Sequence, residues 1–316
     1  MYRKTDRMQL NKNRHLLLVY PADMRLAGKY LSEAYSLLNI HATCIEYSGR
    51  PPAPDFYRQI LSEDVDAVLV AGKKMYAPST VLHGPFLFTQ KKKIPAAWLP
   101  LQEETDVFPF IQTLKKVHRR KNTVPGMALL AQWHPQYLRL TQRMTDLLED
   151  NIPVFKWTGD IITREDVVNA LGCGLGMGIY FGHGRSVGWV GYYGMRSHHF
   201  ESFTGNPLGC MLSLCCKTAS RKRTGLSYAE SLPLMGISAA AFGAVRETRH
   251  TDNMKWAIRI CDAVNEGIDN LGDLLIHAEP PNIEAVEHYR IIGDPFAPLY
   301  TDAGGIKRAK KIVVSE

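Results

Sequence analysis

The chain has 316 residues, 45% of them hydrophobic and 22% charged, with a formal net charge of +7 at pH 7. That composition excludes a disordered chain and provides for a large core, more naturally in two α/β units than in one. Apolar runs stay below the roughly 18 residues of a membrane span, and residues 1–8 carry charges with no apolar stretch behind them, so a soluble, cytoplasmic protein is expected.

In chain order, His15-Leu-Leu-Leu-Val-Tyr20 reads as a buried strand, followed by a helix over residues 23–38 with Leu26, Tyr30, Ala34 and Leu37 or Leu38 on one face. His41-Ala-Thr-Cys-Ile-Glu-Tyr47 is the next strand. Pro51, Pro52 and Pro54 then break the chain before a short helix, and Asp66-Ala-Val-Leu-Val-Ala-Gly72 is an apolar strand closed by glycine. Residues 95–100 add a strand and 107–117 a helix. The charged, proline-terminated stretch Arg119-Arg-Lys-Asn-Thr-Val-Pro125 marks the expected boundary between a smaller N-terminal α/β subdomain (1–122) and a second unit (123–316).

The second half repeats the alternation. Residues 126–131 and 153–157 read as strands, 136–148 and 163–171 as helices, with Thr163 as N-cap and Asp166 at the capping-box position. Gly172-Cys-Gly-Leu-Gly-Met-Gly178 has the glycines of a dinucleotide fingerprint but precedes a strand instead of following one, so no nucleotide is expected there. The strand Met177-Gly-Ile-Tyr-Phe181 delivers Gly182, His183 and Gly184 at its end, and the strand Cys210-Met-Leu-Ser-Leu214 delivers Cys215 and Cys216. A strand over 238–245 and helices over 228–235 and 252–268 complete the pattern.

In an open parallel sheet, the carboxyl ends of strands are where sites are built. A histidine and a cysteine there can act as base and nucleophile, since the thiolate is the reactive species and a free thiol titrates at about 8.5. Period-two alternation sends adjacent cysteines to opposite faces, so one of the pair belongs to the core. Gly182 and Gly184 let the backbone leave the strand and expose amides toward a developing oxyanion. Trp189, Tyr192 and Tyr193 either wall a substrate cleft or pack under a loop. The six cysteines show no disulfide spacing, and with His198-His199 they match no common zinc module, so neither a disulfide nor a metal is expected. The basic runs Lys91-Lys-Lys93, Arg119-Arg-Lys121, Arg221-Lys-Arg223 and Lys307-Arg-Ala-Lys-Lys311 read as solvated surface, without a nucleic-acid-binding motif.

Phe181-Gly-His-Gly184 and Leu214-Cys-Cys-Lys-Thr-Ala219 resemble the His-Gly and Ala/Ser-Cys-x-Thr/Ser-Gly elements of the gingipain-like cysteine peptidases, relatives of caspases, clostripain and separase. Gly236-Ile-Ser-Ala-Ala-Ala-Phe-Gly-Ala-Val-Arg246 resembles the family's strand lining the specificity pocket, and Tyr289-Arg-Ile-Ile-Gly-Asp-Pro-Phe-Ala-Pro-Leu-Tyr300 its Gly-Asp-Pro segment. The resemblance implies an α/β fold of caspase-hemoglobinase type, a mostly parallel sheet with helices on both faces, preceded by a smaller α/β subdomain. It makes His183 the general base and Cys216 the nucleophile, because Thr218 aligns with the family only in that register. The backbone amides of Gly184 and Cys216 would form the oxyanion hole of an endopeptidase working through a thioester. Ala219 departs from the family's glycine.

The resemblance also implies a protein or peptide substrate, with room for an activating protein partner and no organic cofactor, metal, specific nucleic acid or membrane. Its substrate pocket stays open between two choices: Arg246 or Arg249 pairing with an acidic side chain, and Glu247 or Asp252 selecting a basic one, with Trp189 as a further wall residue. Two alternatives use the same residues, a catalytically idle caspase-like scaffold and a thiol acyltransferase or amidase. The loop 217–225, with four basic residues just past Cys216, reads either as a solvated connection or as a mobile element controlling access.

Overall fold

The computed structural model describes residues 14–120, 126–159, 162–278 and 282–299. Apolar runs bounded by glycine, proline or charge become the strands, and the segments between them the helices. The first half consists of β1 (Arg14–Pro21), α1 (Arg25–Ser36), β2 (Ile40–Tyr47), α2 (Pro54–Ile60), β3 (Ala67–Lys73), α3 (Pro78–Val81), β4 (Phe86–Phe88), β5 (Lys93–Leu101) and α4 (Val107–His118). The second begins with β6 (Met127–Gln132), α5 (Pro135–Leu148), β7 (Val154–Gly159), α6 (Arg164–Leu171) and β8 (Met177–Phe181). The small hairpin β9 (Gly184–Arg185) and β10 (Gly188–Trp189) and the single turn α7 (Gly191–Gly194) follow. Then come β11 (Leu208–Leu214), α8 (Tyr228–Leu234), β12 (Ser238–Ala244), α9 (His250–Asn265), α10 (Leu271–His277), α11 (Ile283–Glu287) and β13 (Tyr289–Gly293).

One sheet runs through both halves in the order β2-β1-β3-β5-β13-β12-β11-β8-β6-β7, with β4 paired to β5. The boundary expected at 122/123 falls within residues 121–125, which lie outside the described residues, as do Lys307–Lys311 and Tyr300; the sheet is continuous across it. The join is β13, parallel to β5 but antiparallel to β12. β1, β2, β3 and β5 therefore run opposite to β12, β11, β8, β6 and β7, and these two blocks present their carboxyl ends at opposite edges.

Two apolar layers cover the sheet. One holds residues of α1, α4, α5, α9 and α10, the other residues of α2, α6 and α8. Phe242 and Tyr289 stack at 4.8 Å with Trp256 edge-on to both, which locks β12 and β13 to α9. The expected face of α1 is corrected. Leu26 and Leu37 are 52% and 61% exposed, while Ala27, Leu31, Ala34 and Tyr35 face the core. The helix approaches the sheet where the Tyr20 ring lies over Gly28, leaving no room for a Cβ, so its small-residue stripe turns inward and Tyr30 packs sideways on Phe108 at 5.0 Å. The capping box at Thr163 and Asp166 forms as expected, with both reciprocal bonds.

Gly176 before β8 and Gly209 in β11 serve backbone packing. A Cβ on Gly176 or Gly209 would collide with the carbonyls of Leu299 and Pro298. No helix among the described residues is long and apolar enough to cross a membrane.

Candidate active site

Strand register brings the chemistry together. Leu214 of β11 lies beside Phe181 of β8, which lies beside Ala131 of β6. The next residues of all three strands, Gln132, Gly182-His183 and Cys215-Cys216, therefore leave the sheet at one edge. The turns touch. A Cβ on Gly184 would overlap the carbonyl oxygen of Cys216 and the sulfur of Cys215, so glycine alone permits the His183 turn to lie against the cysteine turn.

The adjacent cysteines have different surroundings. Cys215 is 1% exposed and continues the buried face of Met211, and burial, with Cys216 as the next cause, pushes its thiol well above the ordinary range. Cys216 is half-buried.

His183 is held through its backbone. Its N–H donates to Oε1 of Gln132 at 2.9 Å, and its carbonyl accepts from Val190 N–H at 2.9 Å and from the Tyr180 hydroxyl at 3.2 Å. The Tyr180 hydroxyl also accepts from Gly191 N–H at 3.1 Å, and burial holds that phenol neutral. Four groups thus fix the turn and leave the imidazole exposed, perpendicular to the Tyr137 ring with centroids 6.4 Å apart.

The Cys216 sulfur accepts from the Thr248 N–H at 3.4 Å and lies 3.7 Å from the Thr248 hydroxyl. Thr248 immediately precedes Arg249, the N-cap of α9, so the sulfur sits at the N-terminal end of a 16-residue helix. Asn253 of α9 ties these parts together. Its amide donates to Leu214 O and to the Thr248 hydroxyl, each at 3.1 Å, and its oxygen accepts from the Tyr289 hydroxyl at 2.7 Å.

A histidine unremarked in the sequence completes the surroundings. His250, the first residue of α9, packs edge-on against Tyr137 at 5.1 Å, and its Nε2 is buried with no hydrogen-bond partner among the described residues. Desolvation first, then His134 and His183, lower its pKa. Asn253, Tyr289 and Thr248 carried no local signal, because each reaches the site from a distant element. Gln132 was accessible to the strand-end argument, since it ends β6.

A cleft of about 650 Å³ opens beside His183, between the β9–β10 hairpin and the loop after Cys216. Of the expected pocket residues, Arg246, Glu247 and Arg249 lie exposed in the segment beside Cys216. Arg246 O accepts from Lys217 N–H at 3.1 Å, and Glu247 pairs with Lys217 Nζ at 2.6 Å. Trp189 is in the core instead of the cleft wall. It is 2% exposed, stacked on Tyr180 at 4.4 Å, with its indole N–H donating to Ser213 Oγ at 2.9 Å, because the short hairpin folds it back over β8 and β11.

The loop 217–225 is neither slack nor fully solvated. Arg221 binds buried Glu230 of α8 at 2.8 and 2.5 Å and also donates to the Lys74 carbonyl, while Glu230 accepts from the Trp98 indole at 3.2 Å. The Arg221-Lys-Arg223 run was read as surface because charge runs usually are; one of its members is an internal anchor.

The sequence model of peptidase family C25 matches residues 121–300. The crystal structure of the Arg-specific cysteine proteinase gingipain R superposes with a TM-score of 0.72 at 14% identity, covering 92% of this chain and 79% of gingipain R. The complex of the pro- and mature domains of Porphyromonas gingivalis RgpB gives 0.72 at 12% identity, covering 91% and 80%. A structure described as a protease gives 0.71 at 10% identity, covering 92% and 80%. At these identities the likeness is one of fold, and the fold is the caspase-like α/β architecture expected. A sequence comparison with curated proteins finds no match.

Proposed function

The chain belongs to peptidase family C25, and from that premise we propose that it is a cysteine endopeptidase acting through His183 and Cys216 on protein or peptide substrates. The observation that carries the reading is the contact of the two strand-end turns, Gly184 against Cys216, with only the second cysteine outside the core.

In the proposed reaction, His183 takes the thiol proton and Cys216 Sγ attacks the scissile carbonyl. The amides of Gly184 and Cys216 receive the oxyanion; the Lys217 N–H is already given to Arg246 O. Lys217 itself has a left-handed φ of 62°, which turns the chain sharply just past the nucleophile. His183 then protonates the leaving amine as the C–N bond breaks, leaving a thioester. Water, deprotonated by His183, attacks the thioester, and the thiol leaves with the returned proton. We place the enzyme in the cytoplasm, where the free thiols it uses stay reduced.

Digestion of denatured casein and of a mixed fluorogenic peptide library tests the reading. Hydrolysis blocked by iodoacetamide and absent in Cys216→Ala is expected. Hydrolysis that persists in that variant, or a well-folded protein that cleaves no peptide, contradicts it.

A further inference from the structure

We propose that the cleft beside His183 is an acid-binding substrate site, in which Arg185, Lys217, Lys222 and Arg223 receive Asp or Glu side chains of the chain being cut. The inference rests on the peptidase reading for what enters the cleft, and on the cleft's own composition for the charge it selects. The cations come from both walls: Arg185 from the β9–β10 hairpin, the other three from the loop after the nucleophile. No carboxylate lines the cleft among the described residues. Glu247, itself 78% exposed, compensates Lys217 in part and Lys222 more weakly, which leaves Arg185 and Arg223 as the stronger field.

The loop is built to hold its charges. Lys217 and Arg223 both have left-handed φ, 62° and 61°, a conformation that non-glycine residues keep only where their surroundings impose it. Between them, Arg221 fastens the loop to Glu230. Val187 and Val190 give the cleft an apolar side, which suits a peptide side chain and its backbone better than an inorganic anion. A cluster of like charges in a concave, partly apolar site is costly in an unliganded protein and is relieved by an anionic ligand, so the same arrangement that repels basic peptides attracts acidic ones. The cleft begins at His183, so a side chain held there lies close to the scissile bond.

The test separates binding from cleavage. Fluorescein-labelled peptides of one length, carrying Glu, Gln or Lys at matched positions, are titrated against the Cys216→Ala protein by fluorescence anisotropy, and the same peptides are offered to the unmodified enzyme. The Glu peptides should bind at least about tenfold more tightly than the Gln peptides, the gain expected of one charge-assisted contact. The double variant Arg185→Glu/Lys222→Glu on the Cys216→Ala background should reverse the order toward Lys peptides, and should keep the circular dichroism spectrum of its parent. Equal affinities, a Lys preference in the parent, or no binding of any peptide overturns the proposal. Selective binding of Glu peptides with no cleavage by the unmodified enzyme supports the acid site and contradicts the peptidase reading instead.

Discussion

The two blocks of the sheet end their strands in different ways. In the first half, β1 and β3 run out into partly exposed polar pairs: Lys73 with Asp23, Lys74 with Gln102, and Arg25 with Glu46 at 2.8 Å. In the second half, β8 and β11 end in turns held from below by buried groups, Tyr180 under His183 and Asn253 with Tyr289 under the cysteine turn. Charged side chains do the holding in the first block. In the second the backbone is held for them, so the side chains of His183 and Cys216 are released from structural duty. A strand end can offer free side chains for chemistry when its turn is fixed by something other than those side chains.

The largest effect expected from this contrast lies within the cysteine pair. Cys216→Ala should abolish turnover while Cys215→Ala retains most of it, and His183→Ala should cost a factor of about 10²–10⁴ in kcat, the usual contribution of acid-base catalysis. Steady-state peptide hydrolysis reads all three; loss on Cys215→Ala with retention on Cys216→Ala would reverse the assignment.

Arg221→Ala against Lys73→Ala sharpens the comparison in stability. Removing Arg221 leaves the fully buried Glu230 carboxylate without its counter-charge and should cost about 3–5 kcal/mol, whereas Lys73 belongs to an exposed pair and its loss should leave the unfolding midpoint nearly unmoved. Urea denaturation decides; equal midpoints would return the loop 217–225 to an ordinary solvated connection.

Asn253→Ala should weaken both stability and rate. It removes the amide shared by the Tyr289 hydroxyl and the Leu214 carbonyl, a loss of about 1–3 kcal/mol, and frees the Thr248 side chain beside Cys216. A stability loss with unchanged kcat would confine Asn253 to the fold.

The smallest effect is in pH dependence. His250 has a lowered pKa, so the unfolded chain takes up its proton first as pH falls through about 6.5, and stability drops from there until the folded form also protonates. His250→Gln should flatten that part of the stability curve, measured as the unfolding midpoint from about pH 8 to about pH 5. An unchanged slope would show that other groups set it.

Much of this was legible in the sequence for a local reason. The runs that became β1, β3, β8, β11 and β12 are uninterrupted apolar segments, and the capping box at Thr163 needs only residues three apart. His183 and Cys216 stood out because strand ends and glycines mark them locally. What stayed hidden was long-range. β13 reverses the direction of the sheet by pairing with two strands distant in sequence, which no local pattern announces. The inner face of α1 differs from the apolar pattern because Gly28 is where the helix meets Tyr20. Arg221 looked solvated because its partner Glu230 is visible only once α8 is placed. The polar groups under the site, Asn253 and Tyr289, are ordinary residues until three elements converge on them.

The central claim is tested most directly by reacting the enzyme with a peptide acyloxymethyl ketone and locating the adduct by mass spectrometry after digestion. One adduct per chain, on Cys216, lost in His183→Ala and retained in Cys215→Ala, is the result predicted. Labelling of Cys215, scattered labelling of exposed Cys44 and Cys173 at comparable rates, or full labelling in His183→Ala would contradict it.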